Sequence, residues 1–312
     1  MQWHERIGRR LKLRDLHILL AVVEHGSMAR AAAALAISQP AVSKAIADME
    51  HMLGRRLLER TRQGVQTTTY GSALVRHGTA IFDQLRQAAQ ELEFLADPTV
   101  GELRVGSSES MAAGLLPAVI DRFSRKYPRV VLTVAQEVFT TMHYRDLRER
   151  SIDLLLGRMF PPVEDDLESE VLFDDQLVVV AGNRGRWARA RRLKLADLVG
   201  EQWILPPATS VPGTSAAEVL RAGGLDMPHA PLMTLSIHLF LQLVATGRFV
   251  AMLPGSVLRF GGKSWPLRIL PVKLPIQPRP VAIMRLKNRM LNPVAQVFID
   301  CARVVARPMT AR

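Results

Sequence analysis

Residues 39–53, QPAVSKAIADMEHML, combine two kinds of side chain at the spacing of a helix. The apolar residues recur three and four positions apart and share one face: Val42, Ile46, Met49 and Leu53. The other side carries Pro40, the hydroxyl of Ser43 and the cation Lys44, with Gln39 on the shoulder of the first turn. A glutamine amide can bond two edge atoms of adenine, and a hydroxyl or ammonium group can reach base edges or phosphate. This face therefore has the chemistry needed to read DNA in the major groove.

Two earlier helices and a tight turn are predicted to hold this face. The segment LRDLHILLAVVEHG has an apolar helical stripe, and Gly26 suits a C-cap, so the first helix should end at about His25. Ser27 can cap an alanine-rich second helix through Leu35, and Ser38 can cap the third. Three helices with a tight second turn are typical of a helix-turn-helix. Helix spacing alone leaves an ordinary helical bundle as the alternative.

The segment GRRLLERTRQGVQTTTYG favours a β-hairpin wing after the third helix, with a turn centred on Gln63 and Gly64. Arginines flank this hairpin and would contact phosphates, which adds affinity and salt dependence but no sequence choice. These arginines are Arg55, Arg56, Arg60 and Arg62.

Residues 71–97 predict one long helix with a sustained heptad seam. The seam consists of Leu74, Gly78, Ile81, Leu85, Ala88, Leu92 and Leu95. A single helix of this length has too little core of its own, so we expect it to pair with a second copy. The resulting dimer would present two DNA-reading helices. Packing of the stripe on the chain's own downstream domain is the alternative.

After the hinge ADPTVG, strands and helices alternate and predict an open parallel sheet. The elements form two sets, which we assign to a first lobe, residues 103–172 plus 269–312, and a second lobe, residues 173–268. Such sheets bind ligands beyond the carboxyl ends of their strands, and two lobes would form a cleft there. Hydroxyl groups at these ends suit a carboxylate or another anion, with simple helix capping as the alternative. The candidates are Ser107, Ser108, Thr140, Thr141, Thr209 and Ser210.

Composition narrows the class of protein further. The formal net charge of +12 and the isoelectric point near 10.7 favour a polyanionic partner. We find no signal peptide and no apolar run long enough to span a membrane, so we expect a soluble cytoplasmic protein without a membrane partner. The single cysteine, Cys301, lies in a helical pattern and is expected to be buried.

Enzyme motifs are missing from the sequence. GSSES lacks the second glycine of a nucleophile elbow, and neither a zinc-binding H-E-x-x-H nor a phosphate-binding G-x-x-x-x-G-K-[ST] pattern occurs. We therefore expect no enzymatic activity, no bound metal and no cofactor other than a small-molecule effector.

The segment GSMARAAAALAISQPAVSKAIADMEHMLGRRLLERT resembles the helix-turn-helix and wing of the LysR-type transcriptional regulators almost position by position. The rest of the chain is similar to that family more loosely. The resemblance implies an α/β protein with a winged helix-turn-helix in residues 1–70, a linker and dimerisation helix, and a two-lobed effector domain like periplasmic binding proteins. It also implies operator binding as a dimer or tetramer, a response to a small anionic metabolite, and RNA polymerase as a further candidate partner.

The same resemblance assigns individual positions. DNA-facing positions of the family fall on Gln39, Pro40, Ser43 and Lys44, and positions that line its effector cleft fall on Ser107 and Thr140. Lys44 stands where arginine is more usual, which keeps the charge but loses the planar fork for bidentate contacts. A transporter's solute-binding protein and an enzyme with a vestigial N-terminal domain are the competing functions.

Overall fold

The computed structural model describes residues 11–61, 64–136, 144–160, 164–261 and 265–310. The chain divides into two compact units, Met1–Ala88 and Ala89–Arg312.

The first unit begins with three helices: α1 (Leu13–His25), α2 (Met28–Ala34) and α3 (Gln39–Leu53). Gly26 ends α1 with a φ of 62°, and the Ser38 hydroxyl caps α3 by accepting a bond from the backbone N–H of Ala41. Their apolar faces form one core that includes Leu19, Val22, Ala31, Val42, Ile46 and Met49. The predicted orientation of α3 is confirmed, because its apolar face is buried and its polar face is not.

The predicted wing is present as two antiparallel strands, β1 (Leu58–Thr61) and β2 (Gly64–Thr67). The Glu50 carboxylate accepts bonds from the backbone N–H groups of Leu57 at 2.7 Å and Leu58 at 3.2 Å, which fastens β1 to α3. Gly64 has a φ of 127°, and a Cβ there would lie 2.5 Å from the carbonyl oxygen of Gly26. The wing therefore requires glycine at this position to pack against the end of α1.

The long helix α4 (Thr69–Ala96) follows the wing directly, two residues earlier than predicted at its start.

Ten strands, seven α-helices and one 3-10 helix (Leu195–Leu198) that begin in the second unit are described. The strands are β3 (Val100–Ser107), β4 (Arg129–Gln136), β5 (Leu154–Arg158), β6 (Leu167–Asp175), β7 (Leu177–Gly182), β8 (Gln202–Leu205), β9 (Leu232–Met233), β10 (Phe249–Pro254), β11 (Leu267–Ile269) and β12 (Arg279–Leu286). The helices are α5 (Glu109–Ala113), α6 (Leu115–Lys126), α7 (Arg145–Arg148), α8 (Val211–Ala222), α9 (Ile237–Ala245), α10 (Gly255–Gly261) and α11 (Pro293–Thr310).

Two five-stranded sheets form the two lobes. The first has the order β4-β3-β5-β12-β6 and the second has the order β11-β7-β10-β8-β9. Strands β3, β4 and β5 are parallel, as are β8, β9 and β10, whereas β6, β7, β11 and β12 pair antiparallel to their neighbours. The alternation of strands and helices predicted parallel sheets, but both sheets are mixed. The difference arises because β6, β7, β11 and β12, which lie near the two lobe crossings, pair antiparallel with their neighbours.

The chain crosses between the lobes at Gln176 and again between Ile276 and Arg279. Both crossings lie later than the predicted boundaries at 172/173 and 268/269. The first is later because β6 pairs with β12 as far as Asp175 opposite Arg279. The second is later because the chain beyond β11 stays in the second lobe, where Leu270 and Leu274 are buried in the core.

Each lobe has its own apolar core. The first is built around residues such as Leu103, Phe123, Leu154 and Phe298, and it also takes up the buried Cys301. The second surrounds Trp203, whose indole N–H donates a 2.8 Å bond to the carbonyl oxygen of Leu198. In the part of the chain that is described, none of the helices has both the length and the apolar character to cross a bilayer.

Candidate functional site

The polar face of α3 is accessible and has a defined internal order. Gln39 and Lys44 are exposed, and Ser43 is half-buried between them. The Gln39 amide Nε2 donates a hydrogen bond to the Ser43 hydroxyl at 3.2 Å. The Ser43 hydroxyl in turn donates to the Met28 sulfur at 3.3 Å. Among the described residues no carboxylate forms an ion pair with Lys44. The face thus combines an oriented amide with an unneutralised cation.

The basic residues beside α3 are only partly described. Arg55 lies with its guanidinium carbon 5.4 Å from the ring centre of Tyr70, and Arg56 is exposed. The side chain of Arg60 and all of Arg62 lie outside the described residues.

The seam of α4 is shorter than predicted. Ile81, Leu85, Leu92 and Leu95 are 37% to 72% exposed and share one side of the helix. Leu74 is instead half-buried against the core of the first unit. A Cβ on Gly78 would lie 3.7 to 3.8 Å from the side chains of Leu20 and Leu16, so this turn also faces that core. The unpartnered apolar stripe therefore begins at Ile81.

A cavity of about 130 Å³ lies between the lobes of the second unit. Each of the six parallel strands described, β3, β4, β5, β8, β9 and β10, brings its carboxyl end to this cavity. The residues at these ends are Ser108, Gln136, Arg158, Pro206, Thr234 and Pro254. The remaining wall is predominantly apolar and includes Phe160, Leu177, Ala216, Ile237 and Phe240. This position agrees with the rule that such sheets bind ligands beyond their carboxyl ends.

Arg158, the last residue of β5, is the most unusual group in the wall. It is 7% exposed, and its Nη2 donates a 3.0 Å bond to the backbone carbonyl of Asp175. Its Nε atom is buried without a hydrogen-bond partner among the described residues. Burial lowers the pKa of Arg158, although Asp175 acts in the opposite direction. The guanidinium still carries its charge near neutral pH because arginine titrates far above that range.

Strand β5 holds Arg158 in place through an ion network at its start. The buried Asp153 carboxylate accepts bonds from the Arg104 backbone N–H at 2.9 Å and from Arg289 Nη2 at 2.7 Å. Burial alone would raise the pKa of Asp153, but the bonds from Arg104 and the nearby Arg289 charge hold it below its usual value. The carboxylate is therefore ionised, and the network fixes β5 relative to β3 and β12.

Glu109 connects the two lobes across the cavity. One carboxylate oxygen accepts a 3.2 Å bond from the backbone N–H of Ile237 at the start of α9, and the other accepts a bond from the Gln136 amide. A carboxylate at a helix N-terminus is stabilised by the free N–H groups and the helix dipole.

The hydroxyl groups predicted to bind the effector lie in different places relative to the cavity. Ser108 lines the cavity, and its hydroxyl lies 3.3 Å from that of Ser110. Ser107 is fully buried and donates to the Ser108 carbonyl, so it is not part of the wall. Ser210 caps α8, its hydroxyl donates to the Pro207 carbonyl at 2.6 Å, and Thr209 is exposed outside the cavity. Thr140 and Thr141 lie outside the described residues.

Ser107, Thr209 and Ser210 thus lie outside the wall of this cavity, and their part in effector binding stays a prediction. A hydroxyl beside a strand end commonly bonds the nearest backbone group, and Ser210 does so as a helix cap. Arg158 was not among the residues predicted from the sequence, although one feature pointed to it: a cation ends the apolar strand β5.

Both parts of the chain match models of one protein family. Residues 13–72 match the model of the bacterial regulatory helix-turn-helix protein, lysR family, and residues 96–307 match the LysR substrate binding domain. The chain belongs to the LysR family. It is a LysR-type transcriptional regulator with a DNA-binding helix-turn-helix and an effector-binding domain. The helix-turn-helix disfavours the alternative of a transporter's solute-binding protein.

Curated relatives of this LysR-type regulator match over nearly its full length. It is 30% identical to the HTH-type transcriptional regulator GbpR of Azospirillum brasilense, over 95% of this chain and 87% of that protein. It is 28% identical to the transcriptional dual regulator GltC of Bacillus subtilis, over 93% of this chain and 96% of GltC. These relatives are regulators of transcription.

Solved structures share the fold of this LysR-type regulator. A full-length OxyR from Pseudomonas aeruginosa aligns over 97% of this chain and 99% of its own, with a TM-score of 0.67 and 23% identity. Full-length CbnR, solved in complex with its target DNA, aligns over 95% of this chain and 100% of its own, with a TM-score of 0.63 and 21% identity.

Proposed function

We propose that this regulator binds operator DNA as a dimer that inserts one α3 helix per copy into the major groove. The exposed face of α3 carries this proposal. Gln39 presents a bidentate amide, and Lys44 presents a cation without a carboxylate partner among the described residues. These groups suit base edges and phosphates, respectively. The wing and its arginines would lie along the phosphate backbone.

The second part of the proposal concerns assembly and control. The exposed stripe from Ile81 to Leu95 is the surface that a second copy would cover, since a helix of this kind is not expected to leave four large apolar side chains in water. A small anionic effector would bind in the cavity between the lobes. It would change the spacing of the two DNA-binding units through its different affinity for two arrangements of the dimer.

The substitution Gln39→Ala tests the DNA-reading face. We expect a loss on the order of 1 to 3 kcal/mol on the operator and almost none on random DNA, because the amide contributes to sequence choice. The operator is first selected from fragmented DNA that the full-length protein retains, and affinities are then measured by fluorescence anisotropy. Gln202→Ala removes an exposed glutamine in the second unit and serves as the matched control. Equal losses of Gln39→Ala on operator and random DNA would contradict the assignment of α3.

A further inference from the structure

We propose that Arg158 is the anion receptor of the cavity and that the cavity binds a monocarboxylate with an apolar body about the size of a six-membered ring. This inference rests on the proposed function in that it assigns the effector to the cavity between the lobes. It adds the residue that binds the charge, the number of charges on the ligand and the character of the ligand's body.

Arg158 forms no ion pair with a described residue, although the Asp175 charge acts on it at longer range. Buried guanidinium groups are normally paired and fully hydrogen-bonded, because leaving a charge unpaired in a poorly solvated site is costly. Arg158 makes one described bond, to a carbonyl oxygen, and its Nε has no partner there. A ligand carboxylate has two oxygens that match the guanidinium fork and would complete its hydrogen bonds.

The carboxylate of Asp175, the acid whose charge acts on Arg158, already accepts hydrogen bonds from other donors. The Asp175 carboxylate accepts a 3.0 Å bond from the Ser256 backbone N–H and a 2.6 Å bond from the Ser256 hydroxyl. These groups are almost completely buried, so Asp175 is part of the support below the cavity. Among the described residues it forms no ion pair with Arg158, to which it offers only its backbone carbonyl.

The neighbouring cation is committed as well. Arg279 forms an ion pair with Glu218 at 3.1 Å, and its guanidinium carbon lies 5.0 Å from the ring centre of Phe160. Arg279 thus has both an acid and an aromatic face, whereas Arg158 lines the cavity and forms no ion pair with an acid among the described residues. The Nε of Arg279 is also buried without a partner among the described residues, but of the two arginines only Arg158 lines the cavity.

The rest of the wall fits an apolar body. Leu177, Pro206, Ala216, Ile237 and Phe240 contribute to a surface with few polar groups. The volume of about 130 Å³ is close to that of an apolar cavity of ~150 Å³ that admits benzene in another protein. A carboxylate on Arg158 with a ring or a short chain against these residues would use both features of the site.

Glu109 limits the ligand to one negative charge. It already fills the N-terminus of α9, the place where a second carboxylate of a ligand would otherwise be stabilised. A dicarboxylate would have to place its second charge against the apolar wall or near Glu109. Both positions are unfavourable, the first through desolvation and the second through repulsion of like charges.

The first test compares ligands on the unaltered full-length protein. Calorimetric titrations use cyclohexanecarboxylate, hexanoate and phenylacetate, the uncharged amide of each acid, and the dianion adipate. We expect at least one monocarboxylate to bind roughly thirtyfold or more tightly than its amide, which lacks the charge that pairs with Arg158. The same acid should bind roughly thirtyfold or more tightly than adipate, whose second carboxylate has no favourable position in the cavity. The inference is overturned if none of the three acids binds, if an amide equals its acid, or if adipate binds best.

The second test uses variants with the monocarboxylate that binds. Arg158→Gln should weaken it roughly thirtyfold or more, and Arg158→Lys should restore part of the affinity because it keeps the charge. Arg192→Gln makes the same change at an exposed arginine that does not line the cavity, and it should leave the affinity nearly unchanged. Circular dichroism confirms folding, and the comparison of acid with amide decides the matter if Arg158→Gln does not fold. Unchanged affinity in folded Arg158→Gln overturns the inference.

Glu109→Gln tests the limit of one charge. The amide keeps a hydrogen-bond acceptor for the Ile237 N–H but removes the negative charge. Adipate should then bind several-fold more tightly than it binds the unaltered protein, with little change for the monocarboxylate. If adipate gains nothing, the role of Glu109 in ligand choice is rejected.

Operator binding with and without the bound acid separates this inference from the proposed function. If the acid binds through Arg158 but changes neither operator affinity nor footprint, the inference stands and the proposed control of DNA binding fails. If an acid changes operator binding equally in the unaltered protein and in folded Arg158→Gln, the proposed control stands and the role of Arg158 fails.

Discussion

The outer face of α3 leaves Gln39 and Lys44 exposed, whereas the cavity between the lobes holds Arg158 at 7% exposure. On α3 each polar group is solvated before it meets a partner, so an individual contact contributes modestly and the sum of many contacts determines affinity. In the cavity the charge is removed from water in advance. Loss of one partner there has a large effect on binding free energy, because no water is available to solvate the buried charge in place of that partner.

This difference suits the two kinds of partner. DNA presents a regular array of phosphates and base edges, which an exposed helix can meet at several points, twice in a dimer. The proposed monocarboxylate offers a single charge and an apolar body, which an enclosed site must recognise together. The predictions below therefore separate effects on DNA from effects on ligand.

The largest effect is expected on dimer assembly. DNA binding uses the α3 faces of two copies, whereas the cavity is complete within one chain. Leu85→Glu combined with Leu92→Glu should remove the burial of four leucines per dimer, on the order of 6 kcal/mol at about 1.5 kcal/mol each. Sedimentation should show a shift to monomers, and operator affinity should fall in parallel. Monocarboxylate binding should stay within about twofold of the parent protein.

Ala89→Glu is the control for that experiment, since it adds the same charge at an exposed position roughly a quarter turn from the stripe. A dimer that survives the double substitution would show that α4 does not hold the copies together. Loss of ligand binding in the same protein would show that the cavity depends on assembly.

The two regions also differ in how far the sequence alone determines them. The face of α3 follows from local rules, because helix caps and a spacing of three or four residues decide which side chains point outward. For this reason Val42, Ile46 and Met49 were correctly predicted to be buried. The roles of Gln39, Pro40, Ser43 and Lys44 in binding DNA remain predictions.

The cavity depends on contacts between distant parts of the chain. Its wall joins Arg158 from one lobe to Phe240 from the other, and the two lobe crossings decide which strand ends meet. Local patterns could not show that the Ser107 hydroxyl turns inward to bond the Ser108 carbonyl. The rule about carboxyl ends selects the right edge of each sheet, but only the three-dimensional structure shows that Arg158 lies there and forms no ion pair among the described residues.

A smaller effect is expected from Asp175→Ala, which removes the buried acceptor of the two Ser256 bonds beneath the cavity. We expect a loss on the order of 3 kcal/mol in the stability of the effector domain, because the donor groups of Ser256 are left unsatisfied. Urea unfolding followed by tryptophan fluorescence, to which the buried Trp203 contributes, measures it. Lys44→Ala on the exposed face should change the same transition by less than about 0.5 kcal/mol. Comparable losses from both substitutions would remove the energetic contrast between the two regions.

The smallest effect is expected from Arg56→Ala, which removes one exposed cation beside the wing and changes no residue of α3. The Arg56 backbone carbonyl accepts a 2.7 Å bond from the Thr68 hydroxyl, so the main chain should keep its position when the side chain is lost. A single phosphate contact contributes about 0.9 to the slope of log affinity against log salt, and its loss should weaken operator and random DNA alike. Anisotropy titrations between about 50 and 200 mM salt measure this slope.

Arg192→Ala removes an exposed arginine of the second unit and controls for net charge alone. If Arg192→Ala flattens the slope as much as Arg56→Ala, overall charge explains the salt dependence and the wing has no special part in it. If Arg56→Ala weakens only the operator, Arg56 reads bases instead of phosphates. Monocarboxylate affinity should be the same in both variants, because neither side chain lines the cavity. A flattened slope on both DNAs for Arg56→Ala alone would sharpen the comparison: exposed cations contribute one small increment each, whereas Arg158 determines whether the ligand binds.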